Sequence, residues 1–245
     1  MTALAAAVEA ASPRTIPDEH HRDLTGGWLR AAVFGAMDGL VSATSLISGV
    51  SAGGGSDHAV LLAGLAGLVG GAVSMGIGEW TSVSSSNEAT EAELAQERRE
   101  LARAPEAETA ELAAAWVRRG LPAELAMQVS RAIGRNPEEA LRVHAQEELG
   151  IDPDHLPSPW QTAGSSFAAF SLGALLPTLP FFVGGRWALL VTFVLAGLAL
   201  FGCGALVSRF TGRSTAFSGL RQLALGAAAA AVTYGIGAAV GAGVG

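Results

Sequence analysis

Residues 74 to 111, SMGIGEWTSVSSSNEATEAELAQERRELARAPEAETAE, decide how the rest of the 245-residue chain is read. From Ala59 to Gly78 there is no charged residue, and about 20 residues at about 1.5 Å rise cross a hydrocarbon core of about 30 Å. Glu79 then falls at the edge of that core. Beyond the serines at 84 to 86 no proline intervenes until Pro105, while Glu88, Glu91, Glu93, Glu97 and Glu100 are interspersed with Ala, Leu and Arg. The pattern predicts one helix that leaves a membrane and continues into water as a carboxylate-rich rod. Acidic groups fixed on such a rod can collect cations.

Composition agrees. Half of the residues are hydrophobic and the mean hydropathy is +0.39, which excludes an ordinary soluble domain. Charge is concentrated in the N-terminal tail and in residues 88 to 154, as in a membrane protein with one soluble insertion. Every basic residue is Arg, and the net charge of −7 argues against nucleic acid as a partner and suits cation binding. Cys203 is the single cysteine, so there is no disulfide framework and no cysteine zinc site. Residues 1 to 27 mix Pro, Asp, Glu, His and Arg without a sustained apolar run, and read as a flexible tail rather than a signal peptide.

The expected fold is an all-α membrane protein with five transmembrane helices and a helical insertion between the second and third. The spans are Trp28 to Val50, Ala59 to about Glu79, Trp160 to Gly185, Trp187 to Ser208 and Gln222 to Gly245. Within the insertion, 88 to 159, the Pro105 start and the breaks at Gly120-Leu121-Pro122 and Arg135-Asn136-Pro137 predict short helices over 105 to 118, 122 to 133 and 137 to 149. Arginines flank the N-terminal side of the first span, follow the second and separate the last two, whereas the opposite side has only Arg186. That bias places the N-terminus and the insertion in the cytoplasm.

Two groups of residues could carry chemistry. Asp38 lies inside the first span, where a carboxylate costs several kcal/mol and therefore faces a pathway or a partner. Met75 and Glu79, four apart, share a helical face and offer a mixed thioether and carboxylate site suited to a borderline ion. In the insertion, Glu97 and Glu100 are three apart, Glu108 and Glu111 repeat the spacing after Pro105, and His144 and Glu148 are four apart. If these helices fold together, oxygen ligands and one imidazole converge in a set suited to ferrous iron or manganese, with zinc possible. The plainer reading is a solvated face laced with ion pairs, and the tether to a membrane helix with polar groups of its own weighs against it.

The runs DGLVSATSLISGV (38 to 50) and SMGIGEWTSVSSSNE (74 to 88), with ERRE at 97 to 100 and HAQEELGI at 144 to 151, resemble the vacuolar iron transporter (VIT) family over about residues 26 to 245. The resemblance implies a five-helix membrane domain acting as a homodimer and moving Fe2+ or Mn2+ out of the cytosol in exchange for protons. It assigns Asp38, Met75 and Glu79 to the translocation path, and Glu97, Glu100, Glu108, Glu111 and Glu148 to the cytoplasmic metal site. Where plant members of the family have a methionine pair, this chain has His144 and Ala145, exchanging thioether ligands for imidazole.

The function expected is therefore a divalent-metal transporter and not an enzyme, with metal ions, protons and membrane lipid as its partners and no prosthetic group. A di-iron oxidase characteristically carries two Glu-x-x-His motifs, and here Leu141 stands three residues before His144. A membrane-anchored metal sensor or store is the remaining alternative, against which Asp38 within a span argues. With no organellar targeting sequence recognised, a bacterial plasma membrane is the expected location, with a vacuole-like compartment as the alternative.

Overall fold

The computed structural model describes residues 27 to 244, so the predicted tail, with Arg14 and Arg22, lies almost wholly outside the described residues. The helices are α1 (Gly27–Ala52), α2 (Asp57–Arg103), α3 (Pro105–Arg118), α4 (Ala123–Ile133), α5 (Pro137–His144), α6 (Pro159–Thr178), α7 (Pro180–Val183), α8 (Ala188–Thr211) and α9 (Thr215–Val244). A π-helical turn, Ala145–Leu149, continues α5. No strand occurs among the described residues.

The quoted stretch is helical throughout, except for the break at Ala104. Ser56 caps α2 by accepting a hydrogen bond from the Ala59 N–H, and with no proline inside it the helix runs for 47 residues, about 70 Å. Its first half is apolar and exposes Leu62, Val69, Val73 and Ile77. Its second half carries the glutamates. Ala104 is non-helical, and Pro105 then opens α3 with Glu106 and Glu108 in the first turn, where the N-terminal dipole favours them.

Four helices, α1, α2, α8 and α9, are long and apolar enough to cross a membrane. The predicted third span, α6, is helical but less apolar and is not one of these four; Thr162, Ser166 and Thr178 lie on it. All three are buried against neighbouring helices, so they meet protein rather than lipid. Backbones come close enough on this face to exclude side chains. A Cβ at Gly39 of α1 would stand 2.9 Å from Ala174 N and closer still to Phe170 O, and one at Gly173 of α6 would press on Ala36 O. α6 also packs on α2, through a cluster of Ala43, Ala72, Phe170 and Ala174 joined by Leu68 and Met75.

Two boundaries differ from the sequence expectation by more than three residues. The third span does not run to Gly185: α6 ends at Thr178 and Pro180 starts the separate single turn of α7, as two prolines three residues apart dictate. The last helix begins at Thr215 rather than Gln222, with the Ser214 hydroxyl accepting from the Phe217 N–H and nucleating the helix ahead of its apolar run. Trp80 and Trp160 lie with ring centroids 5.7 Å apart, and Ser165 Oγ on α6 donates to the Trp28 carbonyl. Three tryptophans thus gather where the apolar half of α2 ends, as expected of a membrane interface.

Candidate metal centre

The insertion is built on a small alanine-rich core. Leu112, Ala113 and Ala115 of α3, Ala126 of α4, and Ala140 and Leu141 of α5 are buried, and they lay α3 and α5 beside the far end of α2. Asn136 caps α5 by accepting from the Glu138 and Glu139 N–H groups, which sets the register that turns His144 inward. The linker leaving the insertion is pinned by Arg142 Nε donating to Asp154 at 2.8 Å and by Asn87 donating to the Pro157 carbonyl at 3.0 Å.

His144 is 2% exposed, and its Nδ1 faces carboxylates from three elements. Glu97 Oε1 of α2 is 3.1 Å away, Glu148 Oε1 of the π turn 3.1 Å, and Glu108 Oε2 of α3 4.0 Å. One ligand atom each from Glu97, Glu108 and His144 fall within 4.8 Å of one another. His144 Nδ1 is within hydrogen-bonding distance of Glu148, the direction of that bond being set by the tautomer, and Glu97 Oε1 is left buried with no hydrogen-bond partner. A divalent ion with bonds of about 2.1 Å holds its donor atoms about 3 to 4 Å apart, and the distances from Nδ1 to the Glu97 and Glu108 oxygens, 3.1 and 4.0 Å, fall in that range. An orphaned buried carboxylate oxygen beside an imidazole and a second carboxylate is a donor set that fits such an ion.

Electrostatics points the same way. The Glu97 carboxyl is pushed above the ordinary glutamate range by burial first and by the Glu148 charge second, with His144 opposing. Glu108 is raised by burial and then by Glu111. Desolvated like charges held together in this way favour the charge of a cation or a proton. Glu100 and Glu111 stand on the exposed rim, near enough for their charges to raise Glu108; Glu100 accepts from Gln96 at 3.1 Å.

Sequence reasoning missed the π turn. A π segment carries one extra residue per turn and often sits at a functional site. Here it carries Glu148, which faces His144, while the adjacent Glu147 pairs with Arg119. Gly150, with φ +67°, closes the turn, a conformation that favours glycine, and it was the only signal in the sequence.

The membrane residues are placed differently. Asp38 is half-buried on α1, and Ser42 Oγ donates to its Oδ1 at 3.0 Å. Met75 packs into the α1–α2–α6 cluster beside Ala43, and Glu79 is half-buried next to Trp80. No hydrogen bond or ion pair joins Asp38, Met75 and Glu79 among the described residues.

Comparison with known proteins matches residues 29 to 238 to the model of the VIT family. The chain is 35% identical to a "Vacuolar iron transporter" of Acanthamoeba castellanii over 229 residues, 91% of this chain and 83% of that protein. It is 36% identical to "Vacuolar iron transporter homolog 1" of Oryza sativa over 85% of this chain and 72% of that protein, and 32% identical to "Vacuolar iron transporter 2" of the same species over 93% and 94%. These relatives are eukaryotic and named for the vacuole, so they lend no support to the bacterial plasma membrane expected from the sequence. With a family match across most of its length and four membrane-crossing helices, this chain is an integral membrane protein that belongs to the VIT family.

Proposed function

We propose that the protein moves ferrous iron or manganese out of the cytosol in exchange for protons. The observation that carries this reading is the continuity of α2: one uninterrupted helix bears Met75 and Glu79 at membrane depth and Glu97 in the buried carboxylate and imidazole cluster. The cluster collects the ion, and the helix leads to the intramembrane groups. In this reading α6 is the fifth span, enclosed by α1 and α2, and the arginine bias keeps the insertion cytoplasmic. Asp38, Met75 and Glu79 line the path, and a second copy of the chain supplies the facing wall, because Asp38 and Glu79 are each only half-buried in one chain. Carboxylates that lose their charge to protons and regain it as ions pass provide the exchange. The relatives named as iron transporters support the choice of metal cargo.

Flux of ferrous iron, manganese and zinc into proteoliposomes holding the purified protein tests this. Uptake of iron or manganese is the expected result. Metal bound to the protein with no flux of any ion would make it a membrane-anchored sensor or store instead.

A further inference from the structure

Behind His144, on the side of the insertion core, lies a cavity of about 340 Å³ lined by Arg98, Leu101, Thr109, Leu112, Ser130 and His144 among others. Ser130 is 1% exposed, and its Oγ has no hydrogen-bond partner, not even the carbonyl one turn back on α4. A buried hydroxyl left in this state is costly, so its presence needs a reason. Thr109 Oγ1 donates to the Pro105 carbonyl at 2.6 Å and keeps its lone pairs free to accept. His144 uses Nδ1 towards the carboxylates, and its other ring nitrogen, Nε2, has no protein partner among the described residues. A histidine that ligates a metal through one nitrogen almost always donates the other N–H to an acceptor, which fixes the tautomer.

We propose that Ser130 is the positioning residue for His144, acting through water held in this cavity. The space is far larger than one water needs, and Ser130 Oγ, Thr109 Oγ1 and His144 Nε2 supply the two to four polar partners that an ordered water requires. The water accepts from Nε2–H and donates to the Ser130 hydroxyl. The proton is thereby kept on Nε2, and the Nδ1 lone pair is left to face Glu97 and Glu108 as a ligand. This inference rests on the metal-collecting role given to the cluster above.

The test compares the full-length protein in detergent with Ser130→Ala and Ser130→Thr, measuring Mn2+ affinity by calorimetry and the His144 tautomer by nitrogen NMR of ring-labelled protein in the metal-free state. Wild type is expected to bind Mn2+ with His144 as the Nε2–H tautomer. Ser130→Ala is expected to lose tenfold or more in affinity, within the range such outer partners command, and to shift its tautomer signature towards Nδ1–H. Ser130→Thr, which keeps the hydroxyl, should recover both. Equal affinity and an unchanged tautomer in Ser130→Ala would overturn the proposal while leaving the metal site standing. Failure of the wild type to bind Mn2+ or Fe2+ at all would overturn the metal site itself. Should Ser130→Ala misfold, the tautomer in wild type decides alone, and a predominant Nδ1–H form would refute the role.

Discussion

Replacing Glu97 by Gln should move stability and metal binding in opposite directions. Glu97 Oε1 is buried, lacks a hydrogen bond, and sits among Glu148, Glu108 and Glu100, all of which resist its ionisation. Leaving such a group unsatisfied costs about 1 to 3 kcal/mol. The amide of Gln is neutral, and its N–H groups can donate to the Glu108 or Glu148 carboxylates. Without metal, Glu97→Gln is therefore expected to gain on the order of 1 kcal/mol, which raises the melting temperature by roughly 2 to 4 °C in a protein of this size. With metal the loss is large. Outer partners of metal ligands command about 10- to 100-fold in affinity, so deleting a ligand should cost about 100-fold or more, near 2.7 kcal/mol. Thermal melts in detergent, with and without saturating Mn2+, read both effects. Wild type should gain about 2.7 kcal/mol at a hundredfold excess over its dissociation constant, and the variant should gain almost nothing at the same concentration. A Glu97→Gln protein that melts lower than wild type without metal, or that keeps the full metal-induced shift, would refute the reasoning.

Two further outcomes follow from the same geometry. Gly39→Ala puts a methyl 2.9 Å from Ala174 N and against the Phe170 carbonyl, so the α1–α6 contact must open at a cost towards the upper end of about 1 to 3 kcal/mol; the protein should melt earlier and leave detergent extracts as aggregate in size-exclusion profiles. Gly202→Ala, where nothing lies within 4 Å, is the control, and equal behaviour of the two would contradict the close contact. The raised carboxyls of Glu97 and Glu108 mean that the folded metal-free protein binds more protons than the unfolded chain between the ordinary value of 4.5 and their higher folded values. Their contribution to stability therefore falls as pH rises through that window. Metal takes the place of those protons, so Mn2+ affinity should climb with pH over the same range and binding should release protons into a weak buffer; pH-independent affinity above 4.5 would contradict it.

The quoted stretch carried much of the architecture because helix formers, an unbroken absence of proline and a shift from apolar to acidic are local signals. They placed the start of α3 at Pro105, where the structure has it. The glutamate spacings identified which faces could meet, and the structure brings Glu97, Glu108, His144 and Glu148 together while leaving Glu100 and Glu111 on the rim. Which carboxylates become buried depends on how α3 and α5 lie against α2, and that is set by non-local contacts of Leu112, Ala126 and Ala140 that no spacing encodes. The π turn escaped for a related reason, because one extra residue in a helical turn changes no periodicity visible over five positions. α6 was read from the sequence as a span, but its end at Thr178 and its burial of Thr162, Ser166 and Thr178 against other helices were not read. Asp38 was legible as an anomaly in its span, whereas its Ser42 partner was not singled out.

Uptake of Mn2+ and Fe2+ into proteoliposomes, driven by an imposed proton gradient and compared between wild type and Asp38→Ala, tests the central claim most directly. The account predicts gradient-dependent uptake in wild type and none in Asp38→Ala, with the variant still folded and still binding metal in its insertion. Undiminished uptake by Asp38→Ala, or wild-type uptake indifferent to the gradient, would contradict it.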